Sequence, residues 1–440
     1  MNIDTWLEQP KTIEKSKKTY AHFDHRTDMN KAAEYIKNPD NVAKHGFYPF
    51  IHYTMRMTKF NKENGKKLKK REIYYAAHLD RCIYQYYAYM LNEYYNCRIK
   101  QEGIDHVPVA YRTDLKDSNI QSAHKAFDFI RKNEKCYVMI GDFTNFFDNL
   151  DHKYLKKQWC SLIEKETLPK DHYAVYKNIT KYSSWELDDL LELNGLKKSN
   201  SGRKELNKKK VVLEKKEFDR YRGHISKNRL SYGIPQGAPI SAVLANIYML
   251  EADKLIFEKV SQYHGFYMRY SDDFIIVLPE DACDDKQVFQ EIIEIIKGVP
   301  NLKLESQKTQ FFYVNLPNVS NIGTRYAKEA DVSQSRINFL GFSFDGNKIN
   351  IRPKTISKYY YRMNRKAKAI AKNEGQTGAD HLYMLYSERG AKVKKGNFFT
   401  YINKAEAVFG DSEMIRADLK NHMPKIRKVL KKMKNMDLTR

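Results

Sequence analysis

Asp272 and Asp273 stand side by side, behind Ser271, between two apolar runs. Adjacent carboxylates repel each other and are costly beside an apolar hairpin. A divalent cation removes that cost, and hard cations such as Mg2+ take oxygen ligands and share their sites with phosphates. A third acid, Asp142, ends the apolar run Cys136–Ile140 and follows Gly141. An acid placed there reaches a metal from a rigid element. Read locally, the acidic pair also suits a turn facing water, and Asp142 also suits a helix cap or turn. Ser271 has no base partner beside it and reads as a turn residue rather than a nucleophile. His152 reads as a hydrogen-bonded structural residue, and Lys308, in a polar turn, as a surface residue.

The elements that would position these groups are legible in outline. FYMRYSDDFIIVLP at 266–279 reads as two short strands around a tight polar turn, because aromatic and β-branched residues flank Ser-Asp-Asp. The run 136–140 reads as a buried central strand. In LSYGIPQGAPISAVLANIYMLEADKLI at 230–256, Gly233, Pro235, Gly237 and Pro239 form a shaped loop, and Ser241 opens a helix. Small residues there allow close approach to a bound strand; a plain Gly/Pro connector is the other reading. Residues 76–95 read as a helix with Leu79, Ile83, Tyr86 or Tyr87, Met90 and Tyr94 on its apolar face and Asp80, Arg81 and Glu93 on its polar face.

Elsewhere the spacing predicts a helix at 32–39 stopped by Pro39, and a flexible basic hairpin or loop at 59–73 that leads into a strand. It predicts a short strand at 107–111, and a helix at 122–132 capped by Ser122. Residues 183–196 read as a helix capped by Ser183 or Ser184, and 197–210 as an exposed insertion or nucleic-acid-facing loop. A helix follows from Asp284. Residues 337–355 read as a hairpin turning at Asp345-Gly346, with Leu340 and Phe342 packed around Gly341. From Ile356 onward the pattern is helical.

The chain has 440 residues and a formal net charge of +24, which favours a polyanionic partner over an acidic protein or a simple metabolite. Residues 351–440 hold 22 Lys or Arg against 8 Asp or Glu, so over half of the excess lies in the last fifth. The 32 Tyr and 22 Phe supply core and, on a basic chain, base-stacking surfaces. Cys82, Cys97, Cys136, Cys160 and Cys283 are odd in number, without a CxxC pair, which argues against a zinc ribbon or disulfide scaffold. A polar N-terminus and no long apolar stretch predict a cytoplasmic protein without a membrane anchor.

Taken in order, these stretches resemble a reverse transcriptase of the bacterial group that includes group II intron, retron and phage-defence enzymes. Asp142 with FTNFFDNLDH resembles the first catalytic-aspartate motif. GIPQGAPISAVLANIYM resembles the loop-and-helix motif, YSDD at 270–273 the catalytic hairpin, NLKLESQKT the next palm motif, and FLG at 339–341 the primer-gripping hairpin. REI, LDRCIYQ and AYR resemble finger motifs more weakly. The similarity spans about residues 65–345. The absence of a zinc endonuclease cluster and of a VTG triplet makes the chain most like a stand-alone phage-defence enzyme.

The resemblance implies an α+β right-hand polymerase with fingers, an antiparallel-sheet palm and a C-terminal helical thumb. The expected domains are an N-terminal extension at 1–58, fingers at 59–135, a palm at 136–345 with a helical, basic insertion around 155–225, and a basic thumb at 346–440. It implies RNA-directed DNA synthesis with two-metal catalysis, using Mg2+ or Mn2+, an RNA template, deoxynucleoside triphosphates and a DNA product. A companion noncoding RNA and a role in antiphage defence belong to that expectation. Asp142, Asp272 and Asp273 are the implied metal ligands, and Lys308 the implied proton donor to pyrophosphate. Arg71, Arg112, Phe147 and Gln236 are implied at the nucleotide, with Phe147 excluding a 2'-hydroxyl. Gly233, Pro235, Gly237, Leu340 and Gly341 are implied along the nucleic acid. The competing readings are a template-independent or protein-primed DNA polymerase, and a noncatalytic RNA-binding or splicing-assistance protein.

Overall fold

A computed structural model describes residues 3–61, 65–112, 114–282, 285–326, 335–373, 375–393, 396–410, 415, 419 and 422–437. Cys283, Asp284 and the tip of the basic run at 62–64 lie outside the described residues. The strands are β1 (Phe50–Asn61), β2 (Gly65–Tyr75), β3 (Lys135–Asp142), β4 (Ser183–Glu186), β5 (Ser226–Lys227), β6 (Phe266–Tyr270), β7 (Asp273–Pro279), β8 (Gln310–Asn315), β9 (Asn318–Asn321), β10 (Ile337–Phe339), β11 (Phe342–Phe344) and β12 (Ile349–Ile351). They belong to two compact units, each assembled from three separated segments.

The first unit comprises Met1–Asp114, Phe143–Leu255 and Glu294–Lys303. Its sheet runs β2-β1-β4-β5. The basic run expected as a loose hairpin belongs to a long antiparallel ribbon, registered from Ile51 opposite Tyr75 to Asn61 opposite Gly65. His52 ties three strands together: Nδ1 meets Glu186 Oε1 at 2.5 Å and Nε2 meets Glu72 Oε2 at 2.8 Å. Ser183 and Ser184 do not cap a helix. They start β4, which pairs in parallel with β1, because Trp185 is fully buried beside Phe23 and Phe218.

The stretch expected as an exposed insertion also folds inward. Ser199 caps the helix Asn200–Leu206, and Leu206 and Val212 join the Trp185 core. Residues 107–111 form a bend, a single bridge residue at Pro108 and a turn at 110–111 rather than a strand, with Val107 and Val109 buried. The helix expected at 32–39 runs Met29–Lys37 and stops before Pro39, which opens a second helix, Pro39–Ala43, at the position where its missing N–H costs nothing.

The helix His78–Gln101 is buried on more sides than its spacing predicts. Ile83, Tyr86 and Tyr87 are buried as expected, but so are Tyr84, Leu91, Tyr95 and Ile99, while Tyr94 is 50% exposed. Asp80, expected on the polar face, is buried; it accepts from the Tyr48 backbone N–H at 2.9 Å and meets His45 Nε2 at 2.7 Å.

The second unit comprises Leu115–Asp142, Ile256–Ile293 and Leu304–Arg440. Its main sheet is antiparallel with order β6-β7-β3-β8-β9, so the apolar run of β3 is central, as its composition demands. The helix Asn119–Asn133 is capped by Ser118, in a capping box with Gln121, and not by Ser122. Residues 337–351 form three strands, β10-β11-β12, rather than one hairpin. The helix Pro353–Asn373 buries Ile356, Tyr359, Met363, Ala367 and Ile370 at helical spacing. No helix among the described residues is long and apolar enough to cross a membrane. Cys82, Cys97, Cys136 and Cys160 are free thiols.

Candidate active site

The carboxylates owe their places to strand register. Asp142, the last residue of β3, lies directly opposite Asp273, the first residue of β7. Tyr270 also pairs with Asp273, which leaves Ser271 and Asp272 as a two-residue turn. Ser271 takes a φ of 63°, a left-handed conformation that a non-glycine residue adopts at some cost. The fully buried Arg269 holds that turn, donating from Nη1 to the Ser271 carbonyl at 3.0 Å. One step back from the acids, Gly141 faces Phe274 across the strands. A Cβ on Gly141 would come within 2.2 Å of the Phe274 ring, so only glycine leaves room for that ring one residue before the acids.

Burial, and then the negative charges of Asp272 and Asp142, raise the Asp273 carboxyl to about 7. Lys308 and Arg352 oppose that shift. Lys308 Nζ contacts Asp142 Oδ1 at 2.5 Å. Its turn is docked onto β3, since the Glu305 N–H donates to the Asp142 carbonyl at 2.8 Å and the Lys308 N–H to the Glu305 carbonyl at 2.9 Å. Lys308 is exposed, as its polar turn predicts, and its amine is also the counter-charge of Asp142.

Among the described residues no three His, Cys, Asp or Glu side chains converge closely enough to enclose a metal. The donor set still suits a hard divalent cation. It is all carboxylate oxygen, and the mutual repulsion that lifts Asp273 is what a cation would relieve. Asp142, Asp272 and Asp273 are the residues that would hold it.

A cluster that sequence reasoning missed lies on the small sheet of the same unit. Asn338 pairs with Ser343, and Ser343 with Asn350, so these side chains share one face. Arg336 and Arg352 continue that face by strand alternation. With Lys354 they line a cavity of about 410 Å³. The Ser343 hydroxyl is buried there without a partner. Period-two polarity across 336–352 was the available signal, masked because each strand is only three residues long.

Residues 64–344 match the family model described as reverse transcriptase (RNA-dependent DNA polymerase). The chain belongs to the reverse transcriptase family. Its α+β architecture, with the acids on an antiparallel sheet, is that family's right-hand polymerase class, whose members use divalent metal ions. Among solved structures it is similar to a Candida tropicalis apo telomerase truncated from its C-terminal domain, at 12% identity and a TM-score of 0.42, covering 74% of this chain and 61% of that one. It is also similar to the Candida albicans telomerase in complex with a fragment of telomeric RNA, at 13% identity and a TM-score of 0.40, covering 91% and 65%. The chain thus spans under two thirds of the length of those telomerases. No curated protein matches the sequence.

The other residues that the reverse transcriptase motifs single out divide between the units. In the first unit, the 233–239 loop is tied down at both ends. The Gly233 and Ile234 N–H groups donate to the carbonyls of Leu150 and Phe147, and the Gln236 carbonyl accepts from the Tyr74 N–H. The Pro235 carbonyl accepts from the Ser241 hydroxyl at 2.7 Å. Gly237, at a φ of 117°, lies so close to β2 that a Cβ would come within 2.3 Å of the Tyr74 carbonyl. His152 is structural as expected, its Nε2 2.8 Å from the Gly233 carbonyl.

Phe147 is half-buried in the short helix Phe146–Asn149, and Gln236 extends toward Asp148. Arg71 is exposed on β2 opposite Met55. Arg112 is instead spent within its own loop. It is buried, paired to Asp114 at 2.5 Å and donating to the Asp105 carbonyl at 2.6 Å, so its donors are not presented to a triphosphate. In the second unit, Leu340 and Gly341 form the β10–β11 turn, both at positive φ. Asn119 Nδ2 anchors that turn through the Leu340 carbonyl at 2.9 Å.

Proposed function

We propose that this chain is an RNA-directed DNA polymerase that extends a primer 3'-hydroxyl with deoxynucleotides. The observation that carries the proposal is the register of Asp142 against Asp273, with Asp272 in the turn and Lys308 on Asp142. Two acids on facing strand ends and a third in the adjoining turn suit a hard cation, and we assign Mg2+, with Mn2+ as a substitute. When bound, such ions activate the hydroxyl and stabilise charge on the departing pyrophosphate. Lys308 is positioned to give a proton to that leaving group. The basic face of residues 336–354 is suited to strand phosphates, and Leu340 and Gly341 to the primer end.

Phe147 is assigned as the bar to a ribose 2'-hydroxyl, and Arg71 and Gln236 as nucleotide contacts. The 233–239 loop, with Gly233, Pro235 and Gly237, offers exposed backbone to a strand. Exposed Lys358, Arg362, Arg365 and Lys368 on Pro353–Asn373 would track a duplex backbone by shape and phosphate. The finer reading, from resemblance, is a cytoplasmic enzyme that copies a companion noncoding RNA in antiphage defence.

The test is deoxynucleotide incorporation by purified protein with its retained RNA and Mg2+, with Asp272→Asn as control. Ribonuclease-sensitive incorporation absent from the variant is expected. Incorporation that survives ribonuclease pretreatment and shifts with protease overturns RNA templating. Phage plating on cells carrying wild type or Asp272→Asn tests the defence reading, and equal protection removes any role for synthesis.

A further inference from the structure

The first unit contains a second large cavity whose chemistry the polymerase reading leaves unused. Its volume is about 900 Å³, at the upper end of the roughly 300–1,000 Å³ typical of ligand sites. One wall is a stripe of the helix His78–Gln101. Gln85, Tyr89, Asn92, Asn96 and Lys100 recur at spacings of three and four, so they lie one above another. Amides are rare inside proteins unless their hydrogen bonds are met. Asn96 is 94% buried (6% exposed), yet its Oδ1 has no partner, and neither has Gln85 Oε1.

Such acceptors cost stability when left dry, of order 1–3 kcal/mol each, which suits them to a ligand that donates hydrogen bonds. The opposite wall comes from the N-terminal helices. Lys11 and Lys15 bring positive charge, and Trp6 stacks on Tyr89 with ring centroids 4.3 Å apart. Tyr111, 47% exposed and held at a φ of 64°, stands at the same cavity.

Amides along one wall, aromatic rings beside them and ammonium groups in the lining, where Glu93 and Asp114 are the only acids among the described residues, match one class of ligand. We propose that this cavity takes unstacked nucleotides of a single-stranded RNA, with base edges on Gln85 and Asn96 and phosphates on Lys11, Lys15 and Lys100. Amino and imino groups of the bases supply the missing donors. Bases splayed from a stack are what proteins read in single strands, and the lysines hold the backbone whatever the sequence. The site would therefore give a polymerase a base preference away from its chemistry. This rests on the polymerase reading only for the origin of the strand.

The experiment is equilibrium binding of labelled octaadenylate, octacytidylate and octauridylate RNA to the full chain, at one salt concentration and without deoxynucleotides. Wild type should bind one or two of these at least about threefold more tightly than the rest. Gln85→Leu with Asn96→Leu should erase the difference, weakening the preferred octamer by the same factor by which wild type favours it, as expected for lost base-edge bonds. Lys11→Ala with Lys15→Ala should weaken all three alike. Equal binding of all octamers by wild type, or an unaltered preference in the amide variant, overturns the proposal.

Because that variant could misfold, a wild-type measurement stands beside it. Octauridylate carrying 4-thiouridine, photocrosslinked and mapped by mass spectrometry, should label 6–15 or 85–111; labelling confined to other segments also overturns it. Octamer discrimination without any deoxynucleotide incorporation would sink the polymerase reading and leave this site standing. Incorporation without discrimination would do the reverse.

Discussion

Arg269 is a buried cation that donates to the Ser271 carbonyl of a left-handed turn, and the placement of Asp272 and Asp273 depends on that turn. Arg269→Met should cost about 2–4 kcal/mol in chemical denaturation, because it orphans a buried acceptor, and should lower incorporation at least tenfold. Asp273 makes the opposite prediction. Its carboxyl titrates near 7 in the fold against 3.8 ordinarily. Between those values the unfolded chain has released a proton that the folded chain keeps, so this group's contribution to stability falls as pH rises from about 4 to about 7. Metal-free Asp273→Asn should be more stable than wild type at pH 8, by on the order of 1–3 kcal/mol, and lose that advantage at pH 4. Denaturation at the two pH values, in chelator, checks it. Phe147→Ala should raise ribonucleotide incorporation about tenfold or more relative to deoxynucleotide; equal discrimination by both proteins would remove Phe147 from that role.

At the scale of elements, Gly141→Ala tests whether the close packing of Phe274 over Gly141 holds β3 and β7 in register. The added methyl would displace the ring, cost about 1–3 kcal/mol and lower activity more than binding, read as a fall in kcat at near-constant template affinity. The hairpin at 266–279 and the strand at 136–140 were legible in the sequence, because apolar runs and turn chemistry there agree with what the sheet needs. β4 was not. Ser-Ser ahead of acidic residues is a local cap signal, and it lost to the burial of Trp185 between Phe23 and Phe218, partners over 30 residues away at the nearest. The helix at 200–206 was hidden for a related reason, since two apolar residues, Leu206 and Val212, dock an otherwise basic stretch. Lys308 is exposed, as a polar turn predicts, yet lies on Asp142, whereas Arg112 is buried. Position in the fold, and not residue type, put one amine on Asp142 and closed one guanidinium inside a loop.

For the whole molecule, a net charge of +24 makes nucleic-acid affinity a steep function of salt. Lys358→Ala, Arg362→Ala and Arg365→Ala together should lower the slope of log affinity against log salt by about 2–3 on an RNA–DNA duplex, with little effect on base preference. The division of the chain has a consequence in time as well. β3 is the central strand of its sheet, yet both of its neighbours, β7 and β8, are encoded more than 130 residues later. At ~5–20 residues per second, a ribosome needs roughly 10–35 s to travel from Asp142 to the end of β8. Until β7 is made this apolar strand of the nascent chain waits with both edges bare, and one edge stays bare until β8 follows, so the yield of active protein should depend on what shelters it during translation.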